Sequence, residues 1–170
     1  MNTSPTTGKT FVFTRTFNAP RETVWDAWAD IGKRSQWWKP MGTPLTVKAY
    51  DLKSGGVMHY GMDTPSGNKW WGLFAYREVE VPSRVVYVNS FSDEEGNIVR
   101  ASMNPHWPLE ILTTFTFVED GDKTKVKLEG VPINATDEEC AVFESGIEQM
   151  QKAFGNTFGQ LEAYLAEHAR

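Results

Sequence analysis

The C-terminal stretch from Thr136 to Arg170, TDEECAVFESGIEQMQKAFGNTFGQLEAYLAEHAR, decides the fold. At roughly 100° per residue its apolar side chains fall in one narrow stripe, which predicts a single long amphipathic helix with one buried face. Thr136 with Glu139 three residues later is a capping-box pattern that marks the helix start. The stripe consists of Cys140, Phe143, Ile147, Met150, Phe154, Phe158, Leu161 and Leu165.

Glycines flank this stripe on both sides. Gly146 lies at one edge of the stripe, and Gly155 and Gly159 lie at the other edge, beside Phe154 and Phe158. A glycine inside a helix costs about 0.8–1 kcal/mol relative to alanine, so we interpret the three as leaving space for a cavity wall. The alternative is that they admit a neighbouring side chain, such as a tryptophan.

The remainder of the chain predicts a sheet that the helix can cover. Phe11, Phe13 and Phe17 alternate with more polar residues and indicate a first strand. Two short helices should follow, at Pro20 to Ile31 and around Trp37-Trp38. Further strands, separated by turn signals and typical of an antiparallel meander, are expected at 46–53, 57–63, 69–80, 84–92, 109–118 and 123–130.

Together these elements predict an α+β fold, in which a curved antiparallel β-sheet wraps around the long C-terminal α-helix. Residues 10–170 should form a single domain, preceded by a disordered tail at 1–9. The segment 98–108, which contains two prolines, is expected to be a long loop or lid over the space between sheet and helix.

Composition excludes several classes of function. A net charge of −5 without a cluster of Lys and Arg argues against nucleic acid as a partner. No apolar run is long enough for a membrane span, and the first residues do not read as a signal peptide, so we expect a cytoplasmic protein with no membrane insertion. The lone Cys140 agrees with a reducing compartment. A homodimer is left open.

Five motifs occur in the same order as in one known family: NAPRETVWDAW at 18–28, Trp37-Trp38, Gly55-Gly56, PSRVV at 82–86 and GDKT at 121–124. Over residues 10–168 the chain resembles the activator-of-heat-shock-chaperone-ATPase-like branch of a larger superfamily. That superfamily contains the START-like lipid carriers, the birch-pollen-allergen-like proteins and the polyketide cyclases. The resemblance implies a helix-grip fold, and small-molecule binding or chaperone co-activation as its function.

The sequence contains no recognisable catalytic constellation. We find no G-x-S-x-G elbow, Walker loop, dinucleotide glycine fingerprint or H-E-x-x-H helix. His59, His106 and His168 are far apart and lack the spacing of metal ligands. We therefore predict no catalytic residue, no metal site and no cofactor. His59, on the strand face opposite to Tyr60, is expected to be exposed.

The candidate ligand-binding residues are aromatic and methionine side chains that should face the space between sheet and helix. Flexible, polarisable side chains of this kind suit a small apolar or aromatic ligand, although a fully packed core would show the same pattern. These candidates are Trp28, Met58, Tyr60, Met62, Phe74, Tyr76, Phe115, Phe154 and Phe158.

Two polar residues on apolar faces complete the candidate site. Arg15 shares its strand face with Phe11, Phe13 and Phe17, and Gln151 lies at the edge of the helix stripe. Because an unpartnered buried polar group costs about 1–3 kcal/mol, both are candidates to hold a carboxylate, phenol or carbonyl of a ligand. The alternative is that Arg15 pairs with an acidic neighbour and Gln151 reaches solvent.

Three functions follow from this pattern. The first is a small-molecule binding protein with an apolar cavity, which a structure with that space filled would refute. The second is a cyclase or hydrolase-like enzyme in which Arg15, Tyr60, Tyr76 or Gln151 polarises a polyketide-like substrate, and it requires polar groups that converge. The third is a chaperone ATPase co-activator, which would use a surface patch rather than a pocket.

Overall fold

The computed structural model describes residues 10–39 and 42–168, so the predicted tail at 1–9 lies outside the described residues. The elements in chain order are β1 (Phe11–Phe17), α1 (Arg21–Ala29), α2 (Ile31–Trp37), β2 (Thr46–Tyr50), β3 (Val57–Asp63), β4 (Lys69–Glu80), β5 (Arg84–Ser92), β6 (Ile111–Asp120), β7 (Lys123–Pro132), α3 (Asp137–Ser145) and α4 (Ile147–Glu167). Within the described part of the chain, no helix has both the length and the apolar character that crossing a bilayer requires.

The seven strands form one antiparallel sheet in the order β1-β7-β6-β5-β4-β3-β2. From β2 to β7 each strand pairs with the next, and β1 adds to β7 at the far edge. Irregular register in β2 after Val47 and in β4 after Tyr76 adds local bends to the sheet. The predicted α+β helix-grip fold, a curved antiparallel sheet against a C-terminal helix, is confirmed.

The prediction of one continuous helix from Thr136 to Arg170 is wrong, because the helix ends at Gly146 and a new one begins. The Gly146 N–H donates to the carbonyl of Phe143, three residues back, at 3.0 Å. A Cβ on Gly146 would lie 3.3 Å from the ring of Trp107. This glycine therefore admits a tryptophan, which was the alternative interpretation. The predicted capping box is present, since Thr136 and Glu139 bond reciprocally.

One half of the interior is filled by interlocking aromatic rings from β1, β6, α1 and α4. Neighbouring ring centroids lie 5.2 Å apart for Trp25 and Phe117 and also for Trp28 and Phe115. We call this cluster the packed half, and its members are Phe17, Trp25, Trp28, Phe115, Phe117 and Phe158. Because these side chains are buried and in mutual contact, no room is left between them for a ligand.

The expected exposure of His59 is wrong, since this side chain is only 7% exposed on the outer face of the sheet. Its Nε2 lies 3.1 Å from the carbonyl oxygen of Asp93, and its ring centroid lies 5.4 Å from that of Trp71. A Cβ on Gly96 would lie 3.8 Å from the same ring. The turn after β5 therefore covers His59, which strand alternation alone does not reveal.

Candidate functional site

A cavity of about 230 Å³ lies between the inner face of the sheet and the N-terminal half of α4. Strands β3 to β7 supply half of its lining residues, and α4 closes it from the other side. Ala153 of α4 is exposed and also belongs to the wall, so the cavity reaches the surface there. Its wall is mostly apolar, with Arg34, Asn89, Thr113 and Thr157 as the clearest polar members.

Five of the predicted ligand-binding residues line this cavity. Met58, Tyr60 and Met62 project from one face of β3, as their alternation indicated. Phe74 of the adjacent strand β4 stacks edge-on against Tyr60, with ring centroids 5.1 Å apart. Phe154 faces them from α4.

The other aromatic candidates lie in the core rather than in the cavity wall. Trp28, Phe115 and Phe158 belong to the packed half and are at most 1% exposed. Tyr76 is buried, with its hydroxyl 3.9 Å from the sulfur of Met58. For these four residues the structure matches the packed-core alternative.

The two predicted polar candidates tie β1 to α4 outside the cavity wall. Arg15 donates from Nη1 to the carbonyl of Gly155 at 3.2 Å, and its Nη2 lies 3.0 Å from the carboxylate of Glu162. Gln151 donates from Nε2 to the carbonyl of Val12 at 2.6 Å. Arg15 thus has the acidic neighbour that the alternative interpretation proposed.

The interpretation of Gly155 and Gly159 as a cavity wall is also wrong. Neither belongs to the wall, and a Cβ on either would have no atom within 4 Å. The glycines that shape the cavity lie instead in the sheet. A Cβ on Gly72 would lie 2.5 Å from the ring of Tyr60, so Tyr60 lies directly over this glycine. Gly130 of β7 lines the cavity, and a Cβ there would make ordinary contact with Ile111 at 3.6 Å.

Arg34 of α2 is the residue that the sequence reasoning missed. It lines the cavity, is only 1% exposed, and lies between two indole rings, with its Cζ 4.7 Å from the centroid of Trp28 and 4.3 Å from that of Trp38. Its Nε, Nη1 and Nη2 have no hydrogen-bond partner in the described part of the chain. Its spacing, three residues after Ile31 and four before Trp38, was the signal that places it on a buried helix face.

Tyrosines surround this guanidinium without balancing its charge. Burial raises the pKa of Tyr60 to about 12 and also raises the pKa of Tyr76 and of Tyr87, while the charge of Arg34 opposes this rise at all three. At physiological pH these phenols are therefore neutral. Tyr50 donates its hydroxyl proton to the carbonyl of Ala29 at 2.5 Å.

Two further polar side chains meet in the cavity wall. Thr113 donates from its hydroxyl to Oδ1 of Asn89 at 2.6 Å, across the pair of strands β5 and β6. The cavity can thus offer hydrogen bonds at Arg34 and at this pair.

Residues 10–39 and 42–168 contain no group of three or more His, Cys, Asp or Glu side chains able to hold a metal.

The segment 98–108 lies at one end of the cavity. Trp107 contributes to the wall, and its ring centroid lies 5.6 Å from that of Phe143 in α3. Arg100 forms an ion pair and a hydrogen bond with Glu139, whose carboxylate also accepts the N–H of Thr136. The pKa of Glu139 is lowered mainly by the hydrogen bond from the Thr136 N–H and, to a smaller extent, by Arg100. Movement of this segment as a lid remains a prediction.

The chain is similar to known proteins in both sequence and structure. Residues 18–166 match the family model described as Activator of Hsp90 ATPase homolog 1-like protein. The crystal structure of protein Ms6760 from Mycobacterium smegmatis is 27% identical, with a TM-score of 0.74 over 92% of this chain and 90% of that one. No curated protein matches significantly.

Two more distant solved structures share the fold. A protein from Arthrobacter aurescens is 23% identical, with a TM-score of 0.75 over 95% of this chain and 88% of that one. A protein from Rhodobacter sphaeroides is 18% identical, with a TM-score of 0.75 over 98% of this chain and 99% of that one. At these identities the likeness extends to the fold alone.

Proposed function

The chain belongs to the Activator of Hsp90 ATPase homolog 1-like family, and we propose that it binds a small apolar, ring-containing molecule in the cavity beside α4. The observation that carries this proposal is an unfilled space of about 230 Å³ in an interior otherwise rich in closely packed aromatic rings. Protein cores rarely leave such space, because every lost contact lowers stability.

The composition of the wall supports an apolar ligand. Met58, Met62 and Met150 are flexible, polarisable side chains that adjust to the shape of a bound ring. Phe74 and Phe154 offer aromatic faces on opposite sides of the space. A few polar groups among apolar ones is the usual composition of a small-molecule site.

The experiment compares two glycine-to-leucine variants. In Gly130→Leu the new side chain enters the cavity from β7, whereas in Gly159→Leu it enters open space on α4, away from the cavity. Binding of the neutral fluorophore N-phenyl-1-naphthylamine is measured by its fluorescence. We expect Gly130→Leu to weaken binding at least about tenfold, and Gly159→Leu to leave it unchanged.

Thermal unfolding of both variants checks that they fold, and we expect Gly130→Leu to be at least as stable as the wild type because it fills a void. The proposal fails if the wild-type protein does not bind the fluorophore, or if folded Gly130→Leu binds it as well as the wild type.

The two other functions have less support. The cyclase or hydrolase-like enzyme needs converging polar groups, but Arg15 and Gln151 bond outside the cavity while Tyr60 lines it. The chaperone co-activator rests on the description of the family model, and stimulation of a chaperone ATPase by the purified protein would test it. Cytoplasmic location and a homodimer stay predictions.

A further inference from the structure

From the buried and unpartnered guanidinium of Arg34, we infer that the ligand of this cavity is an aromatic anion whose carboxylate binds Arg34. The inference rests on the proposed function and adds the chemical class of the ligand. It assigns a specificity-determining role to a side chain of α2 that lines the cavity and makes no hydrogen bond of normal geometry within the described residues.

Burial makes this missing partner significant. Arg34 is 1% exposed, so bulk water does not solvate its charge, and an isolated charge in an apolar interior is strongly unfavourable. A guanidinium has five N–H donors, all in the plane of the group, and it stays protonated at every physiological pH. The site therefore lacks a negative charge that would balance the guanidinium.

The two indole rings account for the faces of the guanidinium but not for its edge. Trp28 and Trp38 lie 4.7 and 4.3 Å from Cζ, which gives cation–π attraction perpendicular to the plane. The N–H donors point outward within the plane, where none of the three nitrogens makes a hydrogen bond of normal geometry. The hydroxyls of Tyr50 and Tyr76 lie near enough to interact with them, but both are neutral acceptors and supply no counter-charge. Stacking orients the group and leaves its hydrogen bonds available.

The neighbouring tyrosines cannot supply the negative charge. Tyr60, Tyr76 and Tyr87 stay protonated at physiological pH, because burial raises the pKa of each. A carboxylate fits the requirement best, since its two oxygens match the fork of a guanidinium and accept two parallel hydrogen bonds. The ring of the ligand would then lie among Met58, Phe74 and Phe154.

The experiment uses two probes of the same shape, 2-naphthoate and its neutral amide 2-naphthamide. Dissociation constants are measured by calorimetry for the wild type, Arg34→Met, Arg34→Lys and Arg15→Met. We expect the wild type to bind naphthoate at least about ten times more tightly than naphthamide. Arg34→Met should lose this preference, Arg34→Lys should keep part of it, and Arg15→Met, which removes a charge outside the cavity, should keep all of it.

The outcomes separate this inference from the proposed function. If the wild type binds the two probes equally, the inference of an anionic ligand is wrong, but the proposal of an apolar binding cavity stands. The same conclusion follows if folded Arg34→Met still prefers naphthoate. If the wild type binds neither probe nor N-phenyl-1-naphthylamine, both proposals fail. If Arg34→Met does not fold, NMR of the wild-type protein tests the inference instead. The side-chain Nε–H resonance of Arg34 should shift when naphthoate is added and should not shift with naphthamide. Absence of a shift with naphthoate would overturn the inference.

Discussion

The packed half and the cavity lie on the same inner face of one sheet, and both are built from aromatic side chains. In the packed half, Trp25 and Trp28 of α1 project onto Phe115 and Phe117, so large rings meet large rings. Around the cavity, several of the facing positions are small: Gly130, Ala153 and Thr157. The difference shows that hollowness comes from the size of the residue opposite each aromatic ring, and not from how many rings the chain has.

The largest effect should come from truncating a ring of the packed half. Phe115 is fully buried and contacts Trp28, Phe117 and Phe158, so Phe115→Ala should lower the free energy of unfolding by about 3–5 kcal/mol. Met62 lines the cavity and is half-buried, so Met62→Ala should cost only about 1 kcal/mol, roughly half of the transfer free energy of a fully buried methionine. Urea unfolding measures both, and equal losses would contradict the contrast between the two regions.

A smaller effect is expected where the segment 98–108 is tied to α3. Glu139→Gln should lower the free energy of unfolding by about 1.5 kcal/mol at pH 7, because the charge-assisted bond to Arg100 is lost. The pKa of Glu139 is lower in the folded chain than in the unfolded one. Its contribution is therefore complete above the unfolded pKa and is lost as the pH falls through the folded pKa.

Urea unfolding of the wild type and Glu139→Gln across acidic pH measures this contribution. The difference between the two proteins should shrink as the pH falls, and the comparison cancels the effect of Asp93, whose pKa is also lowered. A difference that stays constant with pH would show that the charge of Glu139 does not stabilise the end of the cavity.

The smallest effect is a gain in stability on α4. Gly159→Ala should raise the free energy of unfolding by about 0.8–1 kcal/mol, because the new methyl group meets no atom and alanine favours the helix. Gly146→Ala should gain less, since its Cβ presses on Trp107 at 3.3 Å. Thermal unfolding separates the two. Destabilisation by Gly159→Ala would contradict the open space that surrounds this position.

Much of the fold could be predicted because each strand and cap carries a local signal. The alternation of Phe11, Phe13 and Phe17 and the capping box at Thr136 both specify their elements without reference to the remainder of the chain. The end of α3 could not be predicted in this way. The apolar periodicity continues from Phe143 to Ile147, and the break lies at Gly146, where the chain packs against Trp107, a residue distant in sequence.

The candidate site was harder to predict because it depends on which residues face each other. The face of β3 with Met58, Tyr60 and Met62 followed from alternation, and these residues do line the cavity. Arg15 showed the same kind of signal, a polar residue on an apolar face, but it reaches Glu162 beyond the cavity. Arg34 lies in a helix of seven residues, where its spacing from Ile31 and Trp38 is a signal of burial but covers only two turns.

The contact between Tyr60 and Gly72 has a consequence for how relatives of this protein could diverge. A methyl group at residue 72 would collide with the ring of Tyr60 at 2.5 Å and would push it away from the sheet, into the cavity. Gly72 itself is not part of the wall. An inherited change at a position that never touches the ligand can therefore reset which ligands fit, and related chains can acquire new molecular preferences while every lining residue stays the same.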